Sequence, residues 1–243
     1  MSIILAPHQI EAIKKLHNGC ILCGGVGSGK SRAALAYYYI MVCGGSMKTS
    51  MIREIPLYII TTAKKRDSLE WESECENVGI KNFYVDSWNN IGKYINVSNA
   101  FFIFDEQRVV GYGTWSKSFI KIARKNRWIL LTATPGDTWS DYCAVFIANG
   151  FHRNKTEFEK RHVVYSRFVK YPKIEKYIDT EYLIPCRKKI LISMTHEKKT
   201  VRHQHWIKHS YDEGLYSMTV QSRFNFELNK PYKSISELCQ AYR

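Results

Sequence analysis

Continuous apolar runs that end in glycine, hydroxyl or acidic residues punctuate the first 135 positions of this 243-residue chain. Ile21-Leu22-Cys23, Pro56 to Ile60, Ala100 to Phe104 and Trp128 to Leu131 are short and unalternating, the pattern of strands covered on both faces. Phe83-Tyr84-Val85 reads as a further short strand. Between these runs the apolar positions take helical spacing. Ile10, Ile13 and Leu16 form one such face, in a segment whose first turn Pro7 suits. A second helix is expected from Arg32 to about Tyr39, and a third carries Leu69 and Trp71. A fourth holds Phe119, Ile120 and Ile122, with Lys117, Lys121, Arg124, Lys125 and Arg127 on or beyond its solvated side. In an open α/β sheet of this kind, ligands collect at the strand ends.

Beyond residue 150 the pattern loosens. Residues 151–172 interleave cations with Phe158, Tyr165, Phe168 and Tyr171, which suits either a nucleic-acid backbone or helices packed on the edge of the sheet. Lys188 to Met194 reads as a strand, and Lys198 to His209 as a solvated basic segment: the spacing of its histidines could suggest metal, but no cysteine or carboxylate lies at matching spacing. Ser234 opens a last helix with Glu237 at capping-box distance.

Charge sharpens this picture. The formal net charge is +14, which favours an anionic partner, most simply nucleic acid. Residues 151–243 hold 19 Lys and Arg against 10 Asp and Glu, while residues 1–150 hold 17 against 12. The seven cysteines are odd in number and scattered, and Cys20 and Cys23 lie on a strand with no second pair, so reduced thiols are expected rather than disulfides or zinc. The first residues lack a basic region and a long apolar core, and no apolar run approaches the roughly 18 residues of a membrane span. A cytoplasmic protein without a membrane partner is the expectation.

The chemistry concentrates at four strand exits. Gly24-Gly25-Val26-Gly27-Ser28-Gly29-Lys30-Ser31 follows one strand and opens a helix, which is the context a phosphate-binding loop requires. Its glycines let backbone N–H groups turn inward at the positive end of the helix. Lys30 would reach the β- and γ-phosphates of ATP, and Ser31 would place a hydroxyl on Mg²⁺. Asp105 and Glu106 end another strand, where Asp105 can hold the metal and Glu106 can orient and deprotonate the attacking water. Lys30, Asp105 and Glu106 are therefore the candidate catalytic residues. Gln9 precedes Lys30 by 21 positions, and its amide suits the edge of an adenine. Thr132-Ala133-Thr134 could sense the phosphate and pass the signal on. Thr62, Lys64, Lys65 and Arg66 could hold a nucleic-acid backbone, and Trp88 could stack a base or fill the core.

In their order along the chain, Gln9, the loop at 24–31, Asp105-Glu106-Gln107-Arg108 and Thr132-Ala133-Thr134-Pro135 resemble the motifs of superfamily-2 helicases and translocases. The resemblance covers roughly residues 5–150. Trp71 and the stretch Leu131 to Asp137 are similar to Swi/Snf-type members, and more loosely to small helicases encoded by bacteriophages, which would put the protein in a host-cell cytoplasm. It implies an α/β RecA-like P-loop NTPase domain at 1–150, with a mostly parallel sheet flanked by helices, followed by a basic extension at 151–243. It further implies ATP and Mg²⁺ as cofactors, DNA in preference to RNA as partner, and a second RecA-like domain in cis or trans.

Two departures qualify that reading. Gln107-Arg108 fits neither the DEAD-box nor the DEAH-box subclass, and no Q-x-x-G-R-x-x-R segment follows to supply an arginine finger. Weak hydrolysis by this chain alone is therefore expected. The ATPase of a viral DNA-packaging motor and a non-catalytic, ATP-gated nucleic-acid-binding module remain the alternatives.

Overall fold

A computed structural model of the protein describes residues 4–46, 49–106, 113–167, 171–195, 212–226 and 228–232. The apolar runs become strands β1 (Ile21–Cys23), β2 (Leu57–Thr61), β3 (Phe83–Ser87), β4 (Phe101–Asp105) and β5 (Arg127–Thr132). A short antiparallel pair, β6 (Val163–Tyr165) and β7 (Ile174–Tyr177), stands apart, and β8 (Leu191–Ser193) returns to the main sheet. That sheet has six strands in the order β3-β2-β4-β5-β1-β8, and every ladder in it is parallel. Parallel strands put all their carboxyl ends on one edge, so the four chemically marked exits share a rim.

Strand alternation divides the core in two. Leu22, Phe101, Ile103, Ile129 and Leu131 face one apolar cluster, and Ile21, Phe102, Phe104, Trp128 and Leu130 face the other. Helices α1 (Pro7–Lys15), α2 (Lys30–Tyr37) and α4 (Glu70–Val78) supply the first cluster, with the five-residue α3 (Ala63–Asp67) just before α4. Helices α5 (Thr114–Ala123), α6 (Cys143–Ala148), α7 (Lys155–His162) and α8 (Thr180–Ile190) supply the second. There Phe119 meets both Phe104 and Trp128 edge-on at 4.9 Å, the arrangement aromatic quadrupoles favour. With both faces covered, the strands have no polar side to show, which is why they read as unbroken apolar runs.

Three elements differ from the sequence reading. Residues 63–78 form two helices rather than one, because Leu69 takes φ 57° between them. The helix after the glycine-rich loop continues beyond Tyr37 as a wider π-type turn through Val42. Lys188 to Ile190 finish α8, and only Leu191–Ser193 are extended. The chain divides into two compact units, Met1–Glu197 and Lys198–Arg243. The second contains α9 (Glu213–Ser222) and a two-residue antiparallel pair, β9 (Phe224–Asn225) with β10 (Lys230–Pro231). Gln107-Arg108, Phe168, the Lys198–His209 stretch and the expected helix at Ser234 lie outside the described residues. Among the described residues no helix is long and apolar enough to cross a membrane.

Candidate nucleotide site

The loop after β1 is held in shape mostly by its own atoms. Gly27 and Gly29 lie at φ 79° and 78°, in the left-handed region open to glycine. Ser28 donates from Oγ to Gly25 O at 2.8 Å, and Gly29 O accepts from Ala33 N to start α2. Lys30 Nζ reaches back over the loop to Gly24 O at 2.6 Å and Gly25 O at 2.9 Å. Burial pulls the Lys30 pKa down, Asp105 nearby pulls it up, and Lys65 pushes it down again. Two ammonium groups, Lys30 and Lys65, and two carboxylates, Asp105 and Glu106, thus share this part of the rim.

Gln9, only 6 % exposed, connects α1 to the loop. Its Oε1 accepts from Ala6 N at 2.8 Å and its Nε2 donates to Gly29 O at 3.1 Å. A Cβ on Gly29 would stand 2.3 Å from that amide nitrogen, so any larger residue would push the Gln9 amide off the loop in addition to straining the φ. Gln9 therefore braces the loop while still lining the cavity beside it. His8 adds a ring-nitrogen contact to Ser28 O at 3.1 Å, which the sequence reading missed.

Asp105 is 2 % exposed, and three side chains converge on one of its carboxylate oxygens. Its Oδ2 accepts from Thr61 Oγ1 at 2.9 Å, Lys65 Nζ at 2.8 Å and Trp71 Nε1 at 3.0 Å. Its backbone carbonyl accepts from Trp88 Nε1 at 2.9 Å. Glu106 follows at φ 56°, a backbone conformation costing a non-glycine residue about 1 kcal/mol or more, and it lines the cavity. On the far wall Gly24 N donates to Thr132 O at 3.1 Å, tying the glycine-rich loop to the end of β5. Thr132 Oγ1 also accepts from Thr134 N and donates to Thr134 O, closing a tight turn.

These groups surround one cavity of about 960 Å³, of a size that accepts a nucleotide. Gln9, Lys30, Ser31, Asp105, Glu106 and Thr134 all line it. The Ser31 hydroxyl and the Asp105 carboxylate are hard oxygen donors, the set Mg²⁺ prefers.

The expected nucleic-acid residues separate. Thr62 caps α3, accepting from Lys65 N at 3.3 Å, and Lys64 is exposed. Arg66 is bound to Asp67 and, at 3.5 Å, to Asp86. Lys65 points into the nucleotide cavity rather than outward. Trp88 is 2 % exposed behind Asp105, so base stacking is corrected to a core role. The sequence reading also missed Thr61 and Trp71 as Asp105 partners. Their only signal was position, a hydroxyl at the end of β2 and an indole one helix later.

No protein-family profile matches the chain, and no curated protein matches it in sequence. Among solved structures, it is similar to the Sulfolobus solfataricus SWI2/SNF2 ATPase core in complex with dsDNA. That match has TM-score 0.58 and 16% identity, over 81% of this chain and 45% of the other. The Pyrococcus furiosus Hef helicase domain matches at TM-score 0.40 and 17% identity, over 65% of this chain and 40% of that one. The large terminase ATPase domain of Thermus phage P74-26 matches at 0.36 and 16%, over 56% and 68%. The chain thus spans less than half the length of the SWI2/SNF2 core, and the first likeness establishes the fold as α/β and RecA-like.

Proposed function

We propose that this chain is the nucleotide-binding part of an ATP-driven motor acting on nucleic acid, of the superfamily-2 helicase or translocase kind. The observation that carries the reading is the convergence of Lys30, Ser31, Asp105, Glu106, Gln9 and the Thr132–Thr134 turn on one cavity at the carboxyl rim of a parallel sheet. In this reading the loop N–H groups and Lys30 cradle the triphosphate, Gln9 sets the floor beside the base, and Glu106 orients the attacking water. Ser31 and Asp105 would hold Mg²⁺, which when bound neutralises charge on the β- and γ-phosphate oxygens. The Gly24–Thr132 bond gives the end of β5 a direct mechanical connection to the loop. The net charge of +14, and the duplex DNA held by the SWI2/SNF2 core, support nucleic acid, DNA in preference to RNA, as the track.

A motor of this kind closes its site with a cation from a second RecA-like domain, in cis or in trans. Such cations accelerate phosphoryl transfer by about 10³–10⁵ in comparable systems, so turnover by this chain alone should be slow. The test is steady-state ATP hydrolysis with and without single- and double-stranded DNA, in wild type and Lys30→Ala. Weak, DNA-stimulated turnover that Lys30→Ala abolishes is expected. Turnover that survives Lys30→Ala, or turnover indifferent to every nucleic acid, would sink the reading.

A further inference from the structure

Lys65 does not behave as a residue awaiting a nucleic-acid backbone. Its ammonium is 2.8 Å from Asp105 Oδ2, its side chain is only 27 % exposed, and it lines the same cavity as Lys30 and Ser31. The ammonium also stands 5.7 Å from the ring centroid of Trp71, whose indole N–H shares the same carboxylate oxygen. Oδ2 thus accepts from three donors, Thr61, Lys65 and Trp71, on an atom with about two lone-pair sites. Thr61 and Trp71 are fixed, one on β2 and fully buried, the other on α4 and 1 % exposed. Lys65 and Trp71 both line the cavity, but of the three donors Lys65 alone has a flexible stem that can swing away.

We propose that Lys65 is a positioning residue that competes with the divalent cation for Asp105, so that metal loading requires the Lys65–Asp105 pair to open. The proposal rests on the nucleotide-site reading above and adds an antagonist to it. An ammonium and a doubly charged cation held on one carboxylate repel each other, and Lys30 already places a second ammonium in the cavity. Opening the pair also has a mechanical consequence. Lys65 sits on α3 beside Arg66, which reaches Asp86 and Ser87 at the end of β3. The pair therefore ties α3 at consecutive residues to the nucleotide cavity and to the neighbouring strand.

The test uses the full chain and a fluorescent ADP analogue, titrated with Mg²⁺ from an EDTA-treated start. Lys65→Met keeps the stem and removes the charge, and Lys65→Gln serves as a second neutral variant. Folding is verified for both by circular dichroism and urea denaturation. Without competition the carboxylate is freer for metal, so the Mg²⁺ concentration giving half-maximal nucleotide binding should fall roughly tenfold in both, about 1.4 kcal/mol. Binding in EDTA should stay within twofold of wild type, and Lys65→Arg should keep the wild-type midpoint. An unchanged or raised midpoint in both neutral variants would overturn the proposal while leaving Lys30-dependent binding, and so the nucleotide-site reading, intact. Loss of the proposed function itself would show separately, as nucleotide binding indifferent to Lys30→Ala.

Discussion

Asp105 and the His152–His162 pair are all but completely buried in the same compact unit, and the fold treats them in opposite ways. Around Asp105, at the carboxyl rim of the sheet, the chain has gathered donors from β2, α3 and α4 onto one oxygen. Around the histidines, between α7, α8 and the β6–β7 pair, it has gathered almost none. His152 Nε2 and His162 Nε2 are 2.9 Å apart, His162 Nδ1 lies 3.2 Å from Ile178 O, and His152 Nδ1 has no partner. A carbonyl can only accept, so His162 carries its proton on Nδ1 and accepts at Nε2 from His152. The orphan on His152 is then a bare lone pair rather than an N–H, the less costly kind of unmet group. Burial with surplus donors marks a site prepared for charge; burial with one bond inside the pair and one to a backbone carbonyl marks a pair kept neutral for packing.

Removing the acid should have the largest effect on that contrast. Asp105→Ala leaves the buried hydroxyl of Thr61 and the indole N–H of Trp71 without their acceptor, while Lys65 can turn outward. A cost of roughly 2–4 kcal/mol in urea denaturation is expected, from one to two buried donors left unmet. A change below ~0.5 kcal/mol, the size of an ordinary surface substitution, would mean that the three donors are incidental neighbours. Trp71→Phe should cost less, roughly 1–2 kcal/mol, because it deletes a single donor and the carboxylate keeps two. If Trp71→Phe matched Asp105→Ala, the indole would be stabilising the fold mainly by its packing in the core rather than by its bond to Asp105.

The glycine-rich loop, the acidic strand end and the Thr132–Thr134 turn were legible in the sequence because each is local. Glycine spacing, an apolar run and the residues just after it contain the whole signal. What surrounds Asp105 was not legible, because Thr61, Lys65 and Trp71 come from 44, 40 and 34 positions away. Parallel pairing of β2 with β3 and β4 sets where they land. Trp88 shows the same limit from the other side. An aromatic just past a strand reads equally well as a base platform or as core, and only the pairing of Thr61 with Ser87 places its indole behind Asp105. The break between α3 and α4 had no glycine or proline to announce it, since Leu69 adopts the left-handed conformation itself. The sixth strand was visible as an apolar stretch, yet its pairing with β1 across some 170 residues was not.

The smallest expected effect belongs to the histidines, and it is a dependence on pH. Burial lowers the pKa of both rings. For His152 the neighbouring His162 and Arg161 lower it further, against Glu157; for His162 Arg161 does so, against Ile178 O and Asp179. A proton added to His162 would set two N–H groups head-on, and one added to His152 Nδ1 would bury a charged donor with no acceptor. The folded state therefore binds fewer protons than the unfolded chain, whose histidines titrate near ~6.5. Linkage then requires stability to be fully present above that value and to fall as pH drops through it, levelling off below the folded pKa values. Urea denaturation from pH 7.5 to 5 should show this acid limb in wild type. His152→Leu removes one titrating ring and should flatten the limb while lowering stability modestly at pH 7.5, since His162 Nε2 loses its donor. An acid limb of unchanged slope in that variant would assign the loss to other groups, and the two buried regions would no longer differ in kind.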